Sequence, residues 1–218
     1  RSQQFRWNKG AAENFQKLYG KLLKDPTVSF KTKFHSFFHL LNSSMFLLVL
    51  LVAVLSVPIL YIKNNNPAYS WYFNVIAGFA ISTVIFFGCY WVTYKRIHGG
   101  GIKNFFKYIG MFFTFFSVAM GFSVHNSLAV LEGHFGKKSE FIRTPKFNIS
   151  SLSNQWKSNI YLKKCLSKNM ILESLLFLYF GFAIYSAFLV NDFGLILFHL
   201  MLFAGFGFVA FKSIFSRI

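Results

Sequence analysis

Four runs of apolar residues, 40–62, 72–94, 170–190 and 193–215, are each long enough to cross a bilayer as a helix. Inside hydrocarbon every backbone N–H and C=O must be satisfied within the segment, which restricts such runs to α-helices. At about 1.5 Å per residue the first reaches roughly 34 Å, enough for a hydrocarbon core of roughly 30 Å. Pro58 is expected to kink it. Residues 63–67, Lys-Asn-Asn-Asn-Pro, form a short polar turn, and Tyr69, Trp71 and Tyr72 make an aromatic belt before the second run. Only Asn191 and Asp192 separate the last two runs, which predicts a tight antiparallel hairpin. The expected class is an all-α integral membrane fold with four transmembrane helices plus amphipathic interfacial helices. Five spans are possible, because 105–124 is also long enough by hydropathy.

Charge chooses between four and five. Residues 1–39 and 95–169 carry 8 and 12 Lys plus Arg, whereas 64–71 and 191–193 carry none, so the first two stretches belong on the cytoplasmic side. That assignment needs an even number of crossings between Arg6 and Lys146, and it makes 104–132 an interfacial or re-entrant helix. Gly110, Thr114, Ser117, Gly121 and His125, spaced by three or four, form a small or polar stripe suited to the interface or to close helix packing. Farther upstream, Ala11, Phe15, Leu18 and Leu22 fall at helical spacing with Ala12, Tyr19 and Leu23 beside them. Lys9, Lys17, Lys21 and Lys24 fill the remaining face. This predicts an interfacial helix over 9–24, stopped by Asp25-Pro26 and followed by a lead-in, 30–39, to the first span. The expected organisation is 1–39 with the interfacial helix, 40–94 as a transmembrane pair, 95–169 as a cytosolic linker, and 170–218 as a transmembrane hairpin.

The net charge of +17 raises nucleic acid as a partner, but the Lys and Arg lie between apolar spans and not on a recognisable binding module. Loops facing anionic membrane lipids account for the excess more simply, so lipids are an expected partner and nucleic acid is not. Only six acidic residues occur, Glu13, Asp25, Glu132, Glu140, Glu173 and Asp192, and no two lie within four positions. No paired carboxylates can therefore hold a divalent metal. His35 and His39 are four apart without a third ligand, and Cys89 and Cys165 lack metal-ligand spacing. Ser123, His125 and Asn126, leading into Glu132, form a polar cluster suited to holding its helix in place. Trp91, Tyr179 and Tyr185 read as packing or lipid-facing residues, with a channel lining as the alternative.

Two short motifs point to a function. Gln3, Arg6 and Trp7 form Q-x-x-R-W, and 140–149 contain Phe141-Ile142-Arg143-Thr144-Pro145-Lys146. The first resembles the Q(Q/R)xRW signature of membrane-embedded family 2 glycosyltransferases, the cellulose synthase-like and mannan synthase-like enzymes. The second is similar to their F-x-V-T-x-K gating loop, with Arg143 in place of the usual Val and Phe147 in place of the usual Gly. Their order along the chain, with two spans and an amphipathic segment between them and two spans after, also agrees with that family.

The resemblance implies an inverting transferase that moves sugar from a nucleotide donor, UDP-glucose or GDP-mannose, onto a growing β-linked polysaccharide and helps to export it. It implies that Arg6, Thr144 and Lys146 meet the charge on the departing nucleoside diphosphate, and that Gln3, Gln4 and Trp7 contact the acceptor sugar. Phe141, Ile142, Arg143 and Pro145 would complete the loop that closes over the nucleotide. The catalytic carboxylates and the Mg or Mn that such an enzyme needs are expected in an N-terminal domain outside this sequence, as is the chain's start within a larger protein. The alternatives are a non-processive transferase acting on a ceramide-type lipid, and a membrane scaffold or transporter module with no enzymatic activity. A bacterial inner membrane is the expected location.

Overall fold

The computed structural model describes residues 2–78, 81–138 and 168–215, and every regular element among them is helical. In chain order these are α1 (Ser2–Lys24), α2 (Phe30–Leu40), α3 (Met45–Asn65), α4 (Ser70–Gly78), α5 (Ile81–His98), α6 (Ile102–Gly121), α7 (Ser123–His134), α8 (Lys168–Val190) and α9 (Ile196–Phe215). Four stretches are long and apolar enough to cross a membrane: Asn42–Asn65, Pro67–His98, Asn169–Val190 and Ile196–Phe215. The protein is an all-α, multi-pass membrane protein. By contacts it divides into two compact units, one of Arg1–Leu50, Ser123–Leu172 and Ser213–Ile218, the other of Leu51–Phe122 and Glu173–Lys212.

Several boundaries differ from the sequence expectation. The first helix begins at Ser2 and not at residue 9, so Gln3, Arg6 and Trp7 lie on its opening turns. It ends at Lys24 as expected. Pro26 disfavours helical backbone at Asp25, whose carboxylate accepts from the Thr27 N–H (2.9 Å) and hydroxyl (2.6 Å). Those two bonds hold the Asp25 carboxyl below its usual range. Residues 30–40 are a separate helix and not a mere lead-in, because Ser29 caps it by accepting from Thr32 N–H. The segment 104–132 is not one helix: it breaks at Phe122 with a bend of 46°, and only α6 and α7 taken together are long and apolar enough for a fifth span. The hairpin turn runs on to residue 195, because Asp192 accepts from Gly194 N–H at 3.0 Å and Asn191 adopts a left-handed φ of 56°.

In the second unit, α3, α8 and α9 pack through apolar rings and a set of polar bonds. Phe180 and Phe206 stack at 5.5 Å, both fully buried. Ser56 meets His199 Nε2 at 2.9 Å, Tyr61 donates to Ser186 Oγ at 2.9 Å, and Lys63 pairs with Asp192 at 2.6 Å. That ammonium, ahead of the Gly194 N–H, keeps the Asp192 carboxyl below its usual range. Pro58 lies inside α3 and has no N–H to give the carbonyl four residues earlier, that of Val54. Tyr179 of α8 supplies the missing donor, its hydroxyl reaching Val54 O at 2.6 Å. Among lipid tails no water can replace it. Tyr179→Phe is therefore expected to lower stability by about 1–2 kcal/mol in detergent unfolding, and Pro58→Ala in the same chain to recover most of the loss by restoring the helical bond. Equal losses with and without Pro58 would show that the hydroxyl serves some other group.

Candidate functional site

The candidate site is built on α1. At 3.6 residues per turn, Gln3, Arg6 and Trp7 share one face, while Phe5, Lys9, Ala12 and Phe15 share another. The second face is bound to α7. Phe5 meets the His125 ring at 5.3 Å, Lys9 pairs with Glu132 at 3.2 Å, and Ala12 is fully buried. Gly133 makes the fit close: a Cβ there would lie 2.6 Å from Lys9 O and 2.7 Å from Ala12 Cβ. These contacts rise together along both helices, so α1 and α7 run parallel.

With that face occupied, the motif side chains point elsewhere. Gln3 and Gln4 are exposed, Arg6 is half-buried, and Trp7 keeps 67% of its surface open. An exposed indole beside two amides has the chemistry to meet a ligand carrying both a flat apolar face and hydroxyls. Arg6 adds a planar charged fork suited to phosphate or carboxylate oxygens.

Lys9 corrects the sequence reading. It was expected on the solvated face with the other lysines of α1, yet its side chain is only 5% exposed, because it sits four residues from Phe5 and three from Ala12 on the face that packs. Glu132 neutralises it and also accepts from Lys137 at 2.7 Å. The bond from Lys137, then that from Lys9, holds the Glu132 carboxyl below its ordinary value. The cluster Ser123, His125, Asn126 and Glu132 thus lies on the helix that carries α1. Ser123, Asn126 and Ser127 are buried, which suits an anchoring helix and not a solvated one.

His134 was missed altogether as a structural hub. Its Nδ1 lies 3.0 Å from Gln16 Nε2 and its Nε2 2.9 Å from Ser44 Oγ, with the Phe15 ring edge-on. An amide nitrogen only donates, so Nδ1 accepts and Nε2–H donates to the serine. The ring thereby ties α1, α7 and the turn before α3 together. Spacing offered one clue, since Ser123, Ser127, Val130 and His134 recur on one side of α7.

Phe141, Ile142, Arg143, Thr144, Pro145 and Lys146 lie outside the described residues. Of the two motifs, the structure therefore assembles the first. Comparisons with known protein families, with curated proteins and with solved structures found no match to this chain. Among the described residues no group of three or more His, Cys, Asp or Glu could hold a metal ion. The divalent ion implied by the family resemblance has no donor set on them.

The aromatic residues noted in the spans have local duties. Trp91 of α5 packs on Phe105 (5.0 Å) and Tyr108 (5.3 Å) of α6, and Tyr179 serves Val54 as described. Tyr185 remains 61% exposed on α8.

Proposed function

We propose that this chain is the membrane module of an inverting, nucleotide-sugar-dependent family 2 glycosyltransferase that extends a β-linked polysaccharide, working in a bacterial inner membrane. The observation that carries this reading is the division of α1 into two faces. One is held by Lys9, Ala12 and Phe5 against α7, and the other presents Trp7 with Gln3, beside Arg6. A residue serving to pack against α7 would turn its ring inward, whereas Trp7 keeps 67% of its surface open.

In this reading Trp7 supports the acceptor sugar at its hydrophobic face, and Gln3 and Gln4 hydrogen-bond its hydroxyls. Arg6 meets the negative charge that grows on the departing diphosphate, assisted by Thr144 and Lys146 of the gating loop. Closure of that loop keeps water from the activated sugar. UDP-glucose or GDP-mannose is the donor class, and the carboxylates and metal for the chemical step come from a catalytic domain.

The test uses the full-length enzyme in membranes, supplied with each donor. Trp7→Ala and Arg6→Ala are each expected to lower polymer synthesis by on the order of a hundredfold, while membrane insertion stays unchanged. Trp7→Phe, which keeps a flat apolar face, is expected to recover part of the activity. Near-normal synthesis in the alanine variants would make Trp7 and Arg6 an interfacial anchor and end the proposal. A glycosylated lipid as the sole product would favour the non-processive alternative.

A further inference from the structure

The turn joining α5 to α6 places positive charge at the end of an apolar groove, all within the second unit. The groove holds about 290 Å³ between the two helices, with Tyr90, Tyr94, Met111, Phe112 and Phe115 in its walls and His98 at its end. Tyr108 also lines it, but that side chain is 1% exposed and its hydroxyl is already committed to Phe87 O at 2.5 Å. The walls present mainly ring and aliphatic surface to a ligand, which suits an acyl chain.

The end of the groove differs. On α6, Lys103 and Lys107 precede Met111 and Phe115 in one column at four-residue steps, and both lysines are exposed. The side chain of Lys95 lies over the turn, 3.1 Å from where a Cβ on Gly100 would be. That turn is compact because Gly99 and Gly101 take φ of 81° and 102°, and Asn104 donates to His98 O at 2.9 Å. No acidic residue occurs between Asp25 and Glu132, and none of these lysines forms an ion pair among the described residues. An uncompensated basic mouth above an apolar slot at a membrane boundary matches the chemistry of one amphiphile.

We infer that the α5–α6 groove is a binding site for an anionic phospholipid, with an acyl chain along Phe112 and Phe115 and the headgroup phosphate at Lys95, Lys103 and Lys107. Charge selects the lipid: basic pockets between helices near the cytoplasmic side favour anionic headgroups, each lysine adding appreciable attraction. The positive-inside pattern places residues 95–107 on that side. The apolar slot adds what a diffuse surface charge lacks, a seat for one chain.

The intact chain is reconstituted in nanodiscs of equal phosphatidylglycerol and phosphatidylcholine, and lipids retained after mild detergent extraction are counted by native mass spectrometry. Phosphatidylglycerol is expected to be retained over phosphatidylcholine by on the order of tenfold, and the double variant Lys103→Gln, Lys107→Gln to remove most of that preference. Both lysines are exposed, so the variant keeps its melting temperature. Met111→Trp, which fills the slot with the lysines intact, is expected to release the lipid as well. Equal retention of the two lipids, or phosphatidylglycerol retention unchanged by the lysine variant, would overturn the site. Displacement by soluble glycerol phosphate at the same concentration would also overturn it, since the acyl chain would then contribute nothing.

Discussion

Gly205→Leu is expected to separate α9 from α6 and to lower the stability of the chain by at least about 3 kcal/mol, the upper part of the range for overpacking. The two helices touch backbone to backbone at one crossing. A Cβ at Gly205 would run into Ser117 O and come within 2.8 Å of the Ser117 carbonyl carbon. On the facing helix, a Cβ at Gly121 would run into Gly205 O and come within 2.6 Å of its carbon. Backbone atoms on both sides cannot rotate away as a side-chain tip can. Between lipid tails there is no hydrophobic gain to offset the separation, because helices associate there through close packing. The control is Gly110→Ala on α6, where a Cβ meets nothing within 4 Å. That variant is expected to be neutral or stabilising by up to about 1 kcal/mol through helix propensity. Unfolding titrations in mixed detergent check both, and a Gly205→Leu chain as stable as the parent would show that α6 and α9 do not cross at this point.

Glu132→Ala is expected to release α1 from α7 at a cost of about 3 kcal/mol. This is the low end for removing one partner of a buried pair, because Glu132 keeps 25% of its side chain exposed while Lys9 keeps 5%. The loss arises at the ammonium of Lys9, which gives up the carboxylate 3.2 Å away while its side chain is only 5% exposed. Limited trypsin digestion should then cut at Lys17 and Lys21 far faster than in the parent chain. Replacing both partners, Lys9→Met with Glu132→Leu, should return most of the stability, since an apolar pair of similar volume suits the same site. If the double variant is no better than Glu132→Ala, the carboxylate acts through Lys137 alone.

The same pair predicts a pH dependence. The folded Glu132 carboxyl titrates below its ordinary value of 4.5, so its stabilisation is complete above that value and is lost as pH falls through the lowered one. The stability difference between the parent and Glu132→Gln should accordingly stay level from pH 8 to about 5 and shrink below the ordinary glutamate value. A difference that instead grew on acidification would contradict the assignment.

Much of this was legible from residue order. The four spans follow from run length, the stop at Lys24 follows from Asp25-Pro26, and the partition of charge follows from where lysines interrupt apolar sequence. The stripe Gly110, Thr114, Ser117, Gly121, His125 shows the limit. Spacing marks all five as alike, yet Thr114 is exposed, Gly110 faces open space, Ser117 and Gly121 meet Gly205, and His125 lies beyond the break at Phe122 against Phe5. A small side chain permits close approach without naming the partner.

Lys9 shows the same limit from the other side. On a helical wheel it belongs with the solvated lysines, and its burial depends on Glu132, which is 123 positions away in sequence. Pro58 and Tyr179 are a third case: the proline predicts an orphan carbonyl, but which hydroxyl reaches it depends on how α8 lies against α3.

The sequence by itself determined that this is a helical membrane protein and where its spans lie. Those properties are set by local periodicity and by the cost of placing polar groups in hydrocarbon. Only the tertiary structure decided which face of α1 is buried, which glycines form a crossing, and which lysine is paired. Each of these depends on contacts between residues far apart in the chain, and local pattern carries no record of them.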